Sequence, residues 1–431
     1  MVALAERFLK SPRSGRLLTL LARTPMPVIL PDEIADRMPD AGFDQDSSPI
    51  IELLEARAPG TGGLLDGDVV IKDQIDVAGF RTGVGTQSGG PVAERDATLV
   101  ARIIAAGGRV VGKAKMTELG IDGIGSVMHY AMPMNPRAPG YSPGGSSTGT
   151  AVAVATGFAR YGVGGDGLGS IRIPAAFCGL VGLKPSRERI PRDGIRSPVR
   201  TLDAVGPITR TVDDCARLWQ VMAGEPIEAL TPWVPDRVGI VNGTWLRASR
   251  AVTRAFDRAL ASLGVARERV ELPGLDRATF LGGLIGAHEL ATGPYADQVA
   301  TKAGRTSRML GSAMSKADAT LLYQHRDVLR AATARALAKT PILAMPTTAI
   351  PPPALTAKTV HGGPEIRLLR ALGAYTPLAN LCDLPAIAVP CGVDDRGRPL
   401  SIMFVAAYGQ EASLLRLALA VERTGLGTTP I

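Results

Sequence analysis

Gly164-Gly-Asp-Gly-Leu-Gly-Ser-Ile-Arg-Ile-Pro174 is the stretch on which the reading of this chain turns. It sets Ser170 among glycines. A second frame, Ser142-Pro-Gly-Gly-Ser-Ser-Thr-Gly-Thr150, does the same for Ser146, and upstream Lys72 lies in the apolar run Val69-Val-Ile-Lys-Asp73. Glycines free the backbone for tight or left-handed geometry and let it approach a ligand closely. The N–H groups of Gly167, Leu168, Gly169 and Ser170 could converge on one oxygen as an oxyanion hole. A serine is a useful nucleophile only beside a base that removes its proton. The four histidines, His129, His288, His325 and His361, all lie outside these frames. A lysine working through a second serine is the substitute, which points to acyl transfer. The other reading of such loops is phosphate binding, but G-x-x-x-x-G-K-[ST] is absent.

The chain around these frames is that of a globular enzyme. It has 431 residues, enough for one large or two ordinary domains with a substantial core. Hydrophobic residues make up 45%, so disorder is excluded. The net charge of +8 would suit an anionic partner, but the basic residues are scattered and aromatics reach only 4%. A nucleic-acid platform needs a basic stripe with interleaved aromatics, so none is expected. Cys178, Cys215, Cys382 and Cys391 show no C-x-x-C spacing, which argues for a cytoplasmic protein without a structural metal. Residues 1–27 carry five basic residues among leucines and read as a surface amphipathic helix rather than a secretory signal. The charge-free stretch Ala138 to Ala159 holds two prolines and many Gly, Ser and Thr residues, so it reads as a buried site wall and not a membrane span.

Strand-like and helix-like segments alternate, which predicts an α/β fold with a central sheet covered by helices on both faces. Strands are expected at Val69–Ile71, Arg109–Gly112, Ile342–Met345, Ala386–Val389 and Ser401–Ala406. Asp96 is a candidate cap for a helix ending at Gly107-Gly108, and Thr211 with Asp214 starts another that ends near Gly224. Helices are also expected over Thr150–Ala159 and Glu411–Arg423. The organisation predicted is one domain over 1–431. It has an N-terminal helical region (1–60), a core from 61–224 and 335–431, and a helical side layer or lid over 225–334.

Several segments together resemble the amidase signature family, serine hydrolases with a Ser–cis-Ser–Lys triad. They are Val69 to Gly79, Gly112-Lys-Ala-Lys-Met-Thr-Glu118, Gly144-Gly-Ser-Ser147, Gly169 to Pro185 and Asn380 to Gly392. The resemblance implies a mixed twisted sheet and no cofactor. It implies Ser170 as nucleophile, Ser146 as a bridging serine on a cis peptide and Lys72 as base. The implied reaction is hydrolysis of a linear carboxamide through an acyl-enzyme. The alternatives are the glutaminase component of a glutamine-dependent tRNA amidotransferase, or a weakly active or acyl-transferring member. The expected partner is a small-molecule amide, with at most a second copy of the chain in a homodimer, and neither nucleic acid nor membrane.

Around the triad, Ser147 reads as a hydrogen-bonding neighbour, and Asp166 with Arg172 as an ion pair fixing the loop. Met128, Tyr141 and His288 are the candidates for substrate contact. Two departures from the family pattern stand out. Thr148 and Thr150 replace a glycine and a serine, and Leu168 stands where glycine is common; it would be strained if its φ were positive.

Overall fold

The computed structural model describes residues 31–40, 48–54, 63–227, 230–241, 248–361 and 365–427. The expected amphipathic helix near the N-terminus lies outside them. Among these residues eleven strands form one mixed sheet: β1 (Ile50–Leu53), β2 (Asp68–Lys72), β3 (Arg109–Ala114), β4 (Tyr161–Asp166), β5 (Val181–Lys184), β6 (Ala204–Thr209), β7 (Arg237–Val241), β8 (Ala266–Val270), β9 (Ile342–Pro346), β10 (Ala386–Val393) and β11 (Pro399–Ala406). Their spatial order is β1-β3-β2-β4-β6-β5-β10-β11-β9-β7-β8. β2 runs parallel to both β3 and β4, while β4 is antiparallel to β6.

Because side chains alternate across a strand, each strand feeds both faces of the sheet. Val69 and Ile71 of β2 join a cluster with Leu99, Ile103 and Leu218, whereas Val70 joins Val152, Ala153 and Ile171 on the other side. The first face is covered by α1 (Thr98–Ala105), α4 (Val212–Ala223), α5 (Arg250–Ser262) and α11 (Glu411–Arg423). The second carries α2 (Thr148–Ala155) and α3 (Arg172–Phe177). Along the same sheet, α6 (Ala278–Thr292), α8 (Lys316–Leu337), α9 (Ile366–Leu372) and α10 (Pro377–Leu381) share a core with α3, β9 and β11, and α7 (Lys302–Ser312) lies against α6. Lys72, two residues after Val70, therefore points to the face of α2.

Three sequence expectations need correction. The 225–334 layer is not only helical, since it adds β7 and β8 to the end of the sheet. The region before residue 61 contributes edge strand β1. Asp96 does not cap α1: its carboxylate accepts from the N–H of Ala78, and Asp193 from a distant segment accepts from Thr98 N at 3.0 Å. Thr211 does cap α4, accepting from Asp214 N, and Gly224 ends that helix in the left-handed region at φ 71°. Among the described residues no helix is long and apolar enough to cross a membrane.

Candidate active site

Three structural units build the site: the end of β2, the N-terminus of α2, and the turn between β4 and α3. β2 and β4 are neighbours with Ile71 opposite Val163, so the lysine after Ile71 reaches the carboxyl end of β4. Lys72 Nζ lies 2.8 Å from Ser146 Oγ and 3.1 Å from the carbonyl oxygen of Gly165. The Gly145–Ser146 peptide is cis. Ser146 and Lys72 are buried, whereas Ser170 is half-buried. The two serine frames meet where Ser147 N–H donates to the carbonyl of Ser170 at 3.3 Å. The Ser146 hydroxyl is engaged by Lys72.

Burial pushes the Lys72 ammonium down to about 8, a shift that nearby Asp203 and Asp166 oppose. Roughly a tenth of it is then neutral at pH 7 and more as pH rises, and a neutral amine can accept a proton. Ser147 is committed to the backbone: its Oγ donates to Gly165 O at 3.1 Å and accepts from Gly165 N at 3.3 Å.

Asp166 organises the turn that carries Ser170. Its carboxylate accepts from the N–H groups of Gly169 and Ile171 at 2.7 and 3.1 Å, and from the Arg172 guanidinium. Burial alone would raise its pKa, but Arg172, Lys184 and Asn380 hold it well below the usual carboxylate range. Arg172 also donates to the carbonyl of Thr376 and to Asn380 Oδ1, and Asn380 Nδ2 returns to Asp166 O and Oδ1. The expected loop-fixing pair is thus the centre of a buried network.

This network alters the expected oxyanion hole. The N–H of Gly169 is spent on Asp166, so it drops out of the set and leaves the N–H groups of Gly167, Leu168 and Ser170. Leu168 is not strained, because the positive φ in the turn belongs to Gly169 (133°), where a β-carbon would also strike Thr376 Oγ1. The other departures leave a mark: among the described residues Thr148 Oγ1 and Thr150 Oγ1 are buried with no hydrogen-bond partner.

The expected substrate residues lie in three different segments. Met128 is half-buried in the segment following a loop whose backbone N–H groups converge on Asp122. Tyr141 packs under the Arg398 guanidinium, 4.9 Å from its ring centre, with its hydroxyl toward Met38 Sδ. His288 sits on α6 with a buried Nδ1 that has no partner among the described residues. None of these contacts involves the triad. Thr376, Asn380 and Asp203 escaped the sequence reading. Only Asn380 carried a signal, as the first residue of the Asn380 to Gly392 motif.

Glu118 ties the neighbouring loop to the outer helices. Its buried carboxylate accepts from the N–H groups of Ala300 and Thr301 and from the Thr301 hydroxyl, and lies 2.8 Å from His129 Nε2. Burial opposes its ionisation, but these donors hold its pKa below the ordinary value. Among the described residues no group of three or more His, Cys, Asp or Glu side chains is placed to hold a metal.

The Amidase family model matches residues 52–278 and 287–415. A component of the glutamyl-tRNA(Gln) amidotransferase of Thermus thermophilus is 31% identical over 421 residues, covering 86% of this chain and 87% of that one. A crystal structure of an amidase superposes with TM-score 0.74 at 29% identity, over 83% of this chain and 84% of its own. A structure from a vestigial protein complex, bearing on the origins of an s-triazine catabolic enzyme, superposes with TM-score 0.76 at 26% identity, over 84% and 85%. With a turn built like this around Ser170 and a family model that spans most of the sequence, the chain belongs to the Amidase family.

Proposed function

We propose that this protein is a serine amidohydrolase that cleaves a linear carboxamide through an acyl-enzyme. The observation that carries the reading is the buried Lys72 Nζ at 2.8 Å from Ser146 Oγ, beside the turn that bears Ser170. Neutral Lys72 keeps one N–H on Gly165 O and turns its lone pair to the Ser146 hydroxyl. Lys72 takes the Ser146 proton as Ser146 takes that of Ser170, and Ser170 Oγ attacks the amide carbonyl. The N–H groups of Gly167, Leu168 and Ser170 face the developing oxyanion; losing one such donor typically costs about 10²–10³ in rate. The relay then returns the proton to the leaving nitrogen, and water attacks the acyl-enzyme by the same route.

The similarity to amidotransferase components supports a second reading, a glutaminase working inside a multi-protein complex. Purified protein, assayed alone on aliphatic, aryl, amino-acid and ureido amides with Ser170→Ala as blank, separates the two. Turnover by the isolated chain supports the first reading. Ammonia release from glutamine only after the other amidotransferase components and tRNA are added would overturn it.

A further inference from the structure

We propose that Leu168 is a positioning residue that locks the nucleophile turn onto helix α6 through a pair of glycines; this rests on Ser170 as the nucleophile. Two glycines one helical turn apart, Gly282 and Gly286, lie on one side of α6. A β-carbon on Gly282 would overlap Leu168 Cδ2, and one on Gly286 would stand 3.3 Å from Val199 Cγ1. Val199 in turn lies 3.1 Å from where a β-carbon of Gly167 would be. One turn further along α6, the Glu289 carboxylate accepts from Thr201 N and its hydroxyl. Thus the segments 167–168 and 199–201 are gripped side by side by one helix face.

The grip falls on one peptide in particular. The plane joining Leu168 to Gly169 has its carbonyl held by Thr376 Oγ1 at 2.7 Å and its N–H held by Asp166 Oδ1 at 2.7 Å. Peptide groups are planar, so fixing both ends of this one constrains the directions of its neighbours, whose N–H groups belong to Leu168 and Ser170. The Leu168 side chain, seated on the bare backbone of α6, supplies the third point of support. Leucine at 168 and glycine at 282 are therefore a matched pair: the bulk missing from the helix is restored by the turn.

The test is phosphonylation of Ser170 by a fluorophosphonate, in which Ser170 Oγ displaces fluoride at phosphorus and the phosphoryl oxygen enters the oxyanion site. Gly282→Ala forces Leu168 aside. It is expected to lower the labelling rate at saturating probe by about tenfold or more, by misplacing the donors, with the half-saturating concentration within about threefold of wild type. Leu168→Ala alone loses the support and slows labelling less. The double variant Gly282→Ala, Leu168→Ala removes the collision and recovers most of the Gly282→Ala loss, which a merely additive structural defect does not do. Amide exchange over residues 166–170 rises in Gly282→Ala and falls back in the double variant. The inference is overturned if Gly282→Ala labels at the wild-type rate, if the double variant is no faster than Gly282→Ala, or if exchange in the turn is unmoved. Failure of the wild-type protein to label at Ser170 would sink the nucleophile assignment instead, and the exchange comparison then still decides the grip of α6 on the turn.

Discussion

Arg172 and Asp166 form a two-pronged ion pair, Nε to Oδ2 and Nη2 to Oδ1 at 2.9 Å each, with neither side chain exposed to solvent. Two charges taken out of water are tolerated only when each is fully satisfied. Here Asp166 spends its remaining capacity on the backbone of the Ser170 turn and on the Asn380 amide, and Arg172 on Thr376 and Asn380.

Asp166→Asn leaves the guanidinium buried without its counter-charge. The expected loss is about 3–5 kcal/mol of stability, measured by urea unfolding. Any variant that still folds should lose activity beyond this, because the Gly169 N–H loses its charged acceptor. An unchanged unfolding midpoint would contradict the assignment of this pair as the support of the turn.

The rate should follow the ionisation of Lys72. With Lys72 at about 8 and the neutral amine as the working form, kcat/KM rises about tenfold per pH unit below 8 and levels off above it. Lys72→Met abolishes that limb and lowers the rate by about 10²–10⁴-fold. A pH–rate profile flat from 6 to 9 would rule out Lys72 as the base.

Stability should pass through a maximum at about pH 9. Lys72, Lys113 and Lys184 are each pushed by burial to about 8. Their folded pKa lies below the unfolded one, so they penalise the fold fully below pH 8 and release that penalty as pH rises toward the unfolded value. Each contributes a slope of about 1 kcal/mol per pH unit in that window. The cysteines act oppositely. Burial raises Cys382 to about 11 and Cys178 and Cys391 to about 12, with Cys215 also raised. They remain thiols in the fold while the unfolded chain ionises, so stability is lost above about pH 9. Urea unfolding from pH 7 to 10 checks this; a steady fall across the range would refute the lysine contribution.

Glu118→Gln removes the charged acceptor at the start of α7. The cost expected is about 1–3 kcal/mol, felt locally. Hydrogen exchange should quicken over residues 299–305 while β2 and β4 stay protected. Uniform quickening throughout the sheet would show a global rather than a local loss.

What the sequence revealed depended on local signal. The core strands were legible because β2, β9 and β11 are buried runs rich in apolar residues, and α4 because its cap and terminating glycine are both local. β8 was not: Ala266-Arg-Glu-Arg-Val270 is an edge strand with mostly exposed side chains, so no apolar run announces it. β1 at the opposite edge is apolar, Ile50-Ile-Glu-Leu53, but four residues are too few for a period to show. In the site, Lys72 and both serines stand in glycine-rich or apolar frames that mark them. Gly282 lies in ordinary helical sequence and Thr376 in the turn just before α10, and only tertiary packing brings them to the Ser170 turn. The committed N–H of Gly169 could not be foreseen either, since it depends on which way one peptide faces.

The Arg172 network has a consequence for the order in which this enzyme matures. Residues 72 to 170 hold the proposed reacting groups, but the carbonyl of Thr376 and the amide of Asn380 that complete the turn are more than 200 positions further along the chain. A nascent or truncated chain ending before them carries its serine without the scaffold that aims it. Amide cleavage is thereby expected only once residues 376–380 have been made, and a chain stopped between Ser170 and Thr376 should be inert rather than an unregulated hydrolase.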